Sequence, residues 1–132
     1  MMKQEQMTAR NPLRVLDKIL AGRPAAGGLG LVLAPAGVGK TAFLVQIGLD
    51  SILRGKKVLH IALGQNTDHL QAWYDALFDD LAGSDHDGEV EEMRTAAARN
   101  RILQTFTDKS LSPQRLEQTV DLFGKHLDFH PD

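Results

Sequence analysis

The stretch Leu29-Gly30-Leu31-Val32-Leu33-Ala34-Pro35-Ala36-Gly37-Val38-Gly39-Lys40-Thr41 runs from an apolar segment through a glycine-bearing turn toward a helix. The leucines and valine predict a buried strand. Ala34 to Thr41 fit the phosphate-binding loop known as Walker A, with Ala34 in the first glycine position. Gly37 and Gly39 permit backbone angles and a close approach that a Cβ would block, so successive N–H groups can point at phosphate oxygens. Lys40 adds a point charge. Thr41 opens the following helix, where the dipole favours anions, and its hydroxyl is placed to join the shell of a nucleotide-bound Mg²⁺. The expected nucleotide contacts are therefore Pro35, Ala36, Gly37, Val38, Gly39, Lys40, Thr41 and Ala42, with Thr41 the expected metal ligand.

Context strengthens this reading, because Ala42 to Leu53 continues with helical character and completes a strand–loop–helix unit. The bland alternative is an ordinary glycine turn. A sharper one is the dinucleotide fingerprint, which Gly37-x-Gly39-x-x-Ala42 also satisfies; it expects an acid at the end of the second strand. That strand, Val58 to Leu63, ends in Gly64-Gln65-Asn66, and no acid stands there.

The 132 residues suit one small domain, with 42% hydrophobic and 24% charged content typical of a soluble protein. No cysteine is present, which excludes disulfides and thiolate metal sites. The N-terminus lacks the apolar stretch of a signal peptide and no run reaches membrane-spanning length, so a cytoplasmic protein without a membrane partner is expected. Charge is divided unevenly along the chain. Residues 1–66 hold nine Lys/Arg against three acids, a balance of +6, whereas residues 67–132 hold six against fourteen, a balance of −8. Such polarity suits either solvated faces or head-to-tail contacts between copies, in a homo-oligomer.

Residues 1–10 read as a flexible N-terminus. Asn11 can cap a helix with Pro12 at its first position, Leu16, Ile19 and Leu20 on one face, and Gly22 as its stop. Beyond the phosphate loop, a helix from about Thr41 to Leu53 is closed by Gly55, and Val58 to Leu63 forms the second strand. The next helix, about Thr67 to Ala82, places Leu70, Trp73, Tyr74, Leu77, Phe78 and Leu81 on one stripe, which explains Trp73 and Tyr74 without adenine stacking. Asp85-His86-Asp87 reads as a solvated loop rather than a metal site. Glu89 to Asn100 is a weaker helix and Arg101 to Phe106 a third strand. Ser112 caps a last helix with Pro113 at its first position and a buried stripe of Leu116, Val120, Phe123 and Leu127. Alternating strands and helices predict an α/β fold with a parallel sheet.

In order, Leu16-Asp17-x-x-Leu20, the Gly/Pro-rich loop, Leu29 to Thr41, the helix, Arg54-Gly55-Lys56-Lys57-Val58-Leu59-His60-Ile61 and Asp68-His69-Leu70 resemble the N-terminal half of RecA-like P-loop ATPases of the KaiC and DnaB-helicase type. The resemblance covers roughly residues 12–82, and 101–132 loosely. It implies a P-loop NTPase fold, ATP or ADP with Mg²⁺ as ligands, assembly into rings or filaments, and nucleic acid as a partner by family analogy alone. Two positions depart from the pattern. Relatives end the second strand in a water-activating glutamate where this chain has Gly64-Gln65, leaving Lys40 and Gln65 as the candidate catalytic groups, Gln65 as an orienter of water. Relatives also place a Walker B aspartate on an apolar strand after a motif similar to Leu127-Asp128-Phe129-His130-Pro131-Asp132. That strand would be among those lying between the first two, so the resemblance implies an incomplete sheet: the chain is read first as the N-terminal part of a longer RecA-like domain, the alternatives being a rearranged sheet or a gap filled by another copy. Three functions follow as expectations: an ATPase portion with weak or no hydrolysis by this chain alone, a non-hydrolysing nucleotide sensor or assembly module, and a small phosphotransferase. The acidic insert Gly83 to Glu92 opposes the last, which needs an Arg-rich lid.

Overall fold

A computed structural model describes residues 3–14, 18, 27–35, 37, 39–84, 87–107 and 111–132. Among them run the helices α1 (Lys3–Arg10), α2 (Lys40–Leu53), α3 (Thr67–Ala82), α4 (Gly88–Arg99) and α5 (Pro113–Leu127), with strands β1 (Val58–Leu63) and β2 (Arg101–Phe106) between them. The two strands pair in parallel, Val58 opposite Arg101 through Leu63 opposite Phe106, and the crossover between them consists of α3 and α4. The chain is thus an α/β protein built on a two-stranded parallel sheet.

Local chemistry sets the helix boundaries. Asn66 caps α3 by accepting from Asp68 N–H at 2.8 Å, Asp87 caps α4 by accepting from Val90 N–H at 3.0 Å, and Ser112 caps α5 by accepting from Arg115 N–H at 3.1 Å, ahead of Pro113. Asp87, drawn from the Asp-His-Asp triplet, therefore serves the backbone; Asp85 and His86 lie outside the described residues. Helical spacing buries Leu70, Tyr74, Phe78 and Leu81 of α3; the last three pack in one cluster with Val45, Leu49 and Ile52 of α2, and Met7 and Val90 close the same core. Each such side chain contributes roughly 1.5–3 kcal/mol by leaving water.

Four expectations are corrected. Residues 3–10 are helix α1 rather than a flexible arm, because Met7 is buried and Arg10 Nη1 donates to the carbonyls of Leu81 and Ala82 at the end of α3. Leu29 to Leu33 is not a strand: it belongs to no ladder and Leu29, Leu31 and Leu33 are exposed. An apolar run becomes a strand only beside another edge, and among the described residues none lies next to it. The apolar stripe of α5 is likewise unburied, with Leu116 and Leu127 exposed, while Phe129 just beyond it is buried under Lys57 Nζ. Trp73 leaves the stripe of α3 and stands on its exposed edge, donating from Nε1 to His69 Nε2 at 3.2 Å. For the helix expected after Asn11, Leu13 N–H donates to Asn11 Oδ1 at 3.0 Å and residues 13, 14 and 18 are helical; Leu16, Ile19, Leu20 and Gly22 lie outside the described residues.

Candidate functional site

The turn ahead of α2 takes the shape its glycines allow. Gly37 and Gly39 have φ of 82° and 96°, in the left-handed region where a side chain is strained. A Cβ built on either would meet nothing within 4 Å, so conformation rather than crowding requires glycine, and open space adjoins the loop. Gly39 is the N-cap of α2 and supplies no side-chain bond to the first amides of the helix. The first turn of α2 also lacks an acidic residue, so the helix itself supplies no anion to its positive end.

Lys40 begins α2 and folds its ammonium back across the turn, donating to the carbonyl of Ala34 at 2.7 Å. That bond brings the two ends of the loop together. Lys40, Pro35, Gly37 and Gly39 are exposed; Thr41 and Ala42 are half-buried. Ala36 and Val38, also expected in the site, lie outside the described residues.

The second wall comes from β1. At its carboxyl end the chain turns at Gly64 and enters α3, and Gln65 reaches across to donate from Nε2 to Thr41 Oγ1 at 3.3 Å. Residues far apart in sequence, at the start of α2 and just after β1, are thus brought together at the carboxyl end of a parallel strand, where open α/β sheets bind ligands. Searches of protein families, curated proteins and solved structures returned no match to this chain.

The other sequence-derived groups lie elsewhere. Asp132, at the end of the motif similar to the segment before Walker B, accepts from Lys57 N–H at 2.8 Å, at the opposite end of β1 from Gln65. Asp128 and His130 pair with each other on the surface. Among the described residues no group of three His, Asp or Glu side chains is placed to hold a metal ion by itself.

Two polar arrangements away from the loop were not singled out by motif. Asp50, fully buried on α2, forms an ion pair with Arg14, whose Nη2 lies 2.8 Å from Oδ2, and accepts a hydrogen bond from Arg54 Nε at 3.1 Å. Its sequence signal is a lone acid in the apolar helix Phe43 to Leu53, followed four residues later by arginine. His60 on β1 places Nδ1 2.9 Å from Tyr74 Oη on α3, in an edge-to-face ring contact. Burial pushes Tyr74 up to about 12, against an opposing pull from Arg101, and burial lowers His60, so the pair consists of a protonated phenol and a neutral imidazole at neutral pH. This pair ties β1 to α3 and thereby holds the strand end that carries Gln65.

Proposed function

We propose that this chain binds a nucleoside triphosphate, with ATP the first candidate, through the loop Ala34–Ala42, as a RecA-like P-loop protein. The observation that carries the reading is the Lys40–Ala34 bond across a turn whose two glycines are left-handed, at an N-terminus of α2 whose N-cap residue, Gly39, offers no side-chain cap. A phosphate group replaces the Ala34 carbonyl as acceptor for Lys40, while the amides at the start of α2 bond to its oxygens. The open space beside Gly37 and Gly39 fits a bulky anion. Thr41 is the residue to hold Mg²⁺, which supplies charge neutralisation between phosphate oxygens.

The same geometry favours binding over fast turnover. Gln65 donates a neutral amide to Thr41 where the resembling ATPases carry a carboxylate, and an amide orients water without taking its proton. Absence of a positioned base costs about 10²–10⁴ in rate. The chain therefore acts as a nucleotide-responsive module, with hydrolysis slow when it acts alone. Rings or filaments and nucleic acid as a partner are part of this proposal only through the resemblance. Calorimetric titration with ATP, ADP and GTP, each with and without Mg²⁺, tests it: a saturating heat for ATP that Mg²⁺ strengthens only modestly is expected, since Thr41 is the sole protein ligand named. A tightly held metal without nucleotide would contradict the reading.

A further inference from the structure

Arg101 is the first residue of β2, and its side chain is only 10% exposed. The guanidinium lies over the Tyr74 ring, 5.0 Å from the centroid, and its Nη2 is 3.6 Å from Asp75 Oδ1 on α3. That separation makes an ion pair and no hydrogen bond. Among the described residues neither side chain makes a hydrogen bond elsewhere, so a nearly buried guanidinium fork keeps its donors unmet beside a carboxylate that keeps its acceptors. Unmet polar groups in such a place cost free energy that a bonding partner recovers. The nitrogens of Arg101 are not sealed off, since both groups line a groove of about 360 Å³ between α3 and α4.

Phe78 and Ala97, both buried, join Ala98 to give the groove an apolar side, and Gln71 is its exposed amide. Arg94, the remaining charged group of the lining, is already engaged: its Nη2 donates to Asp79 and its guanidinium covers the Phe78 ring at 4.6 Å. Asp79 and Glu91 offset its charge. What the groove offers a ligand is thus one cation and one anion side by side, next to an apolar surface. Its volume stands at the lower end of small-molecule sites, roughly 300–1,000 Å³, which suits a compact ligand.

We propose that this groove binds a free α-amino acid with an apolar side chain. Arg101 takes the carboxylate with its planar fork, Asp75 takes the ammonium, and the ligand's side chain lies against Phe78, Ala97 and Ala98. A simple anion is drawn to Arg101 and repelled by Asp75 3.6 Å away, and a simple cation meets the reverse; a carboxylate and an ammonium separated by one carbon satisfy both. Stacking on Tyr74 holds the guanidinium in place before the ligand arrives, so little side-chain freedom is lost on binding. Burial of Arg101 leaves the contact less screened by salt than a surface pair. Arg101 stands opposite Val58 at the amino end of the sheet, whereas Gln65 follows the carboxyl end of β1, so the site is separate from the phosphate loop and independent of nucleotide binding.

Amide-resolved NMR titration of the 132-residue chain without nucleotide, using L-alanine, L-valine, L-leucine and L-phenylalanine up to millimolar concentrations, reads the site directly. Saturable shifts centred on residues 71–78 and 94–101 are expected for at least one of the four. N-acetylation or amidation of that amino acid removes one of its two charges, and each derivative should bind about ten-fold more weakly or worse. Asp75→Asn, at a side chain 48% exposed, should weaken binding about ten-fold with circular dichroism unchanged, and Arg101→Gln should abolish it. No saturable shift with any of the four, shifts centred elsewhere, or unchanged affinity in folded Asp75→Asn would overturn the proposal. So would a derivative that binds as tightly as its parent, which would identify a site for a plain anion or a plain cation.

Discussion

Gln65 Nε2 donates to Thr41 Oγ1 at 3.3 Å, joining the turn after β1 to the first turn of α2. Twenty-four positions separate the two residues in sequence. Their contact puts a neutral amide against the hydroxyl expected to hold Mg²⁺, and it bears on what the chain does with a bound triphosphate.

Turnover follows from that neutrality. Steady-state release of phosphate from ATP should be negligible for the 132-residue chain, and Gly64→Glu alone should not restore it, because a carboxylate at the strand end would add no protein ligand beside Thr41 for the proposed Mg²⁺. Lys40→Ala serves as the control for contaminating activity. Lys40-dependent release near about 1 s⁻¹ or faster, the range of ordinary enzymes, would refute the slow-hydrolysis reading.

A methyl group at position 48 tests the support beneath the site. The Cβ of Gly48→Ala on α2 would overlap Tyr74 Oη, so Tyr74 or α2 must shift, which strains the bond from Tyr74 to His60. Denaturant unfolding should show a loss of roughly 1–3 kcal/mol, the usual consequence of overpacking a core. An unchanged midpoint would mean that Tyr74 relaxes freely and does not tie β1 to α3.

The same pair sets a pH dependence. His60 is lowered from 6.5 by burial, so the unfolded chain binds this proton more readily than the folded one. Stability from His60 is therefore constant well above pH 6.5, falls as pH drops through that unfolded value, and levels off below the lowered folded value. His60→Gln should flatten this part of the stability profile. An identical acid slope in wild type and variant would remove His60 as its source.

Much of this architecture is written locally. The caps Asn66, Asp87 and Ser112 and the stripe Leu70, Tyr74, Phe78 and Leu81 are short-range signals, and the helices they define form where those signals stand. Strand β1 is legible for the same reason, a nearly continuous apolar run between turn residues, while β2 is a mixed segment carrying Ile102, Leu103 and Phe106. Leu29 to Leu33 carries an equally strong run and makes no ladder, because pairing depends on a neighbour that composition does not reveal. Amphipathic spacing in α5 similarly names a face without naming what covers it. At the site, Gly37, Gly39 and Lys40 are fixed by the loop's own chemistry, whereas the approach of Gln65 to Thr41 depends on how β1 packs beside α2.

Asp50 offers a prediction of a different kind. Two guanidinium groups, of Arg14 and Arg54, converge on Oδ2 of this buried carboxylate, while the arginines themselves retain partial exposure. Asp50→Asn removes the charge that both arginines face, and the cost should be about 3 kcal/mol, the lower end for breaking a buried pair because Arg54 stays in reach of water. Urea titration gives the value, and a loss below about 0.5 kcal/mol, typical of a surface site, would show that the cluster adds little.

The most direct test of the central claim is the affinity of Mg·ATP for the wild-type chain and for Lys40→Ala, by calorimetric titration of both proteins under one buffer. Lys40 makes its one described bond to Ala34 across an exposed loop, so its removal should leave the fold intact. Loss of charge-assisted bonds to phosphate should weaken binding about 10- to 100-fold, equivalent to about 1.5–3 kcal/mol. Equal affinity in the two proteins, or no binding by the wild type, would contradict the assignment of Ala34–Ala42 as a nucleotide phosphate loop.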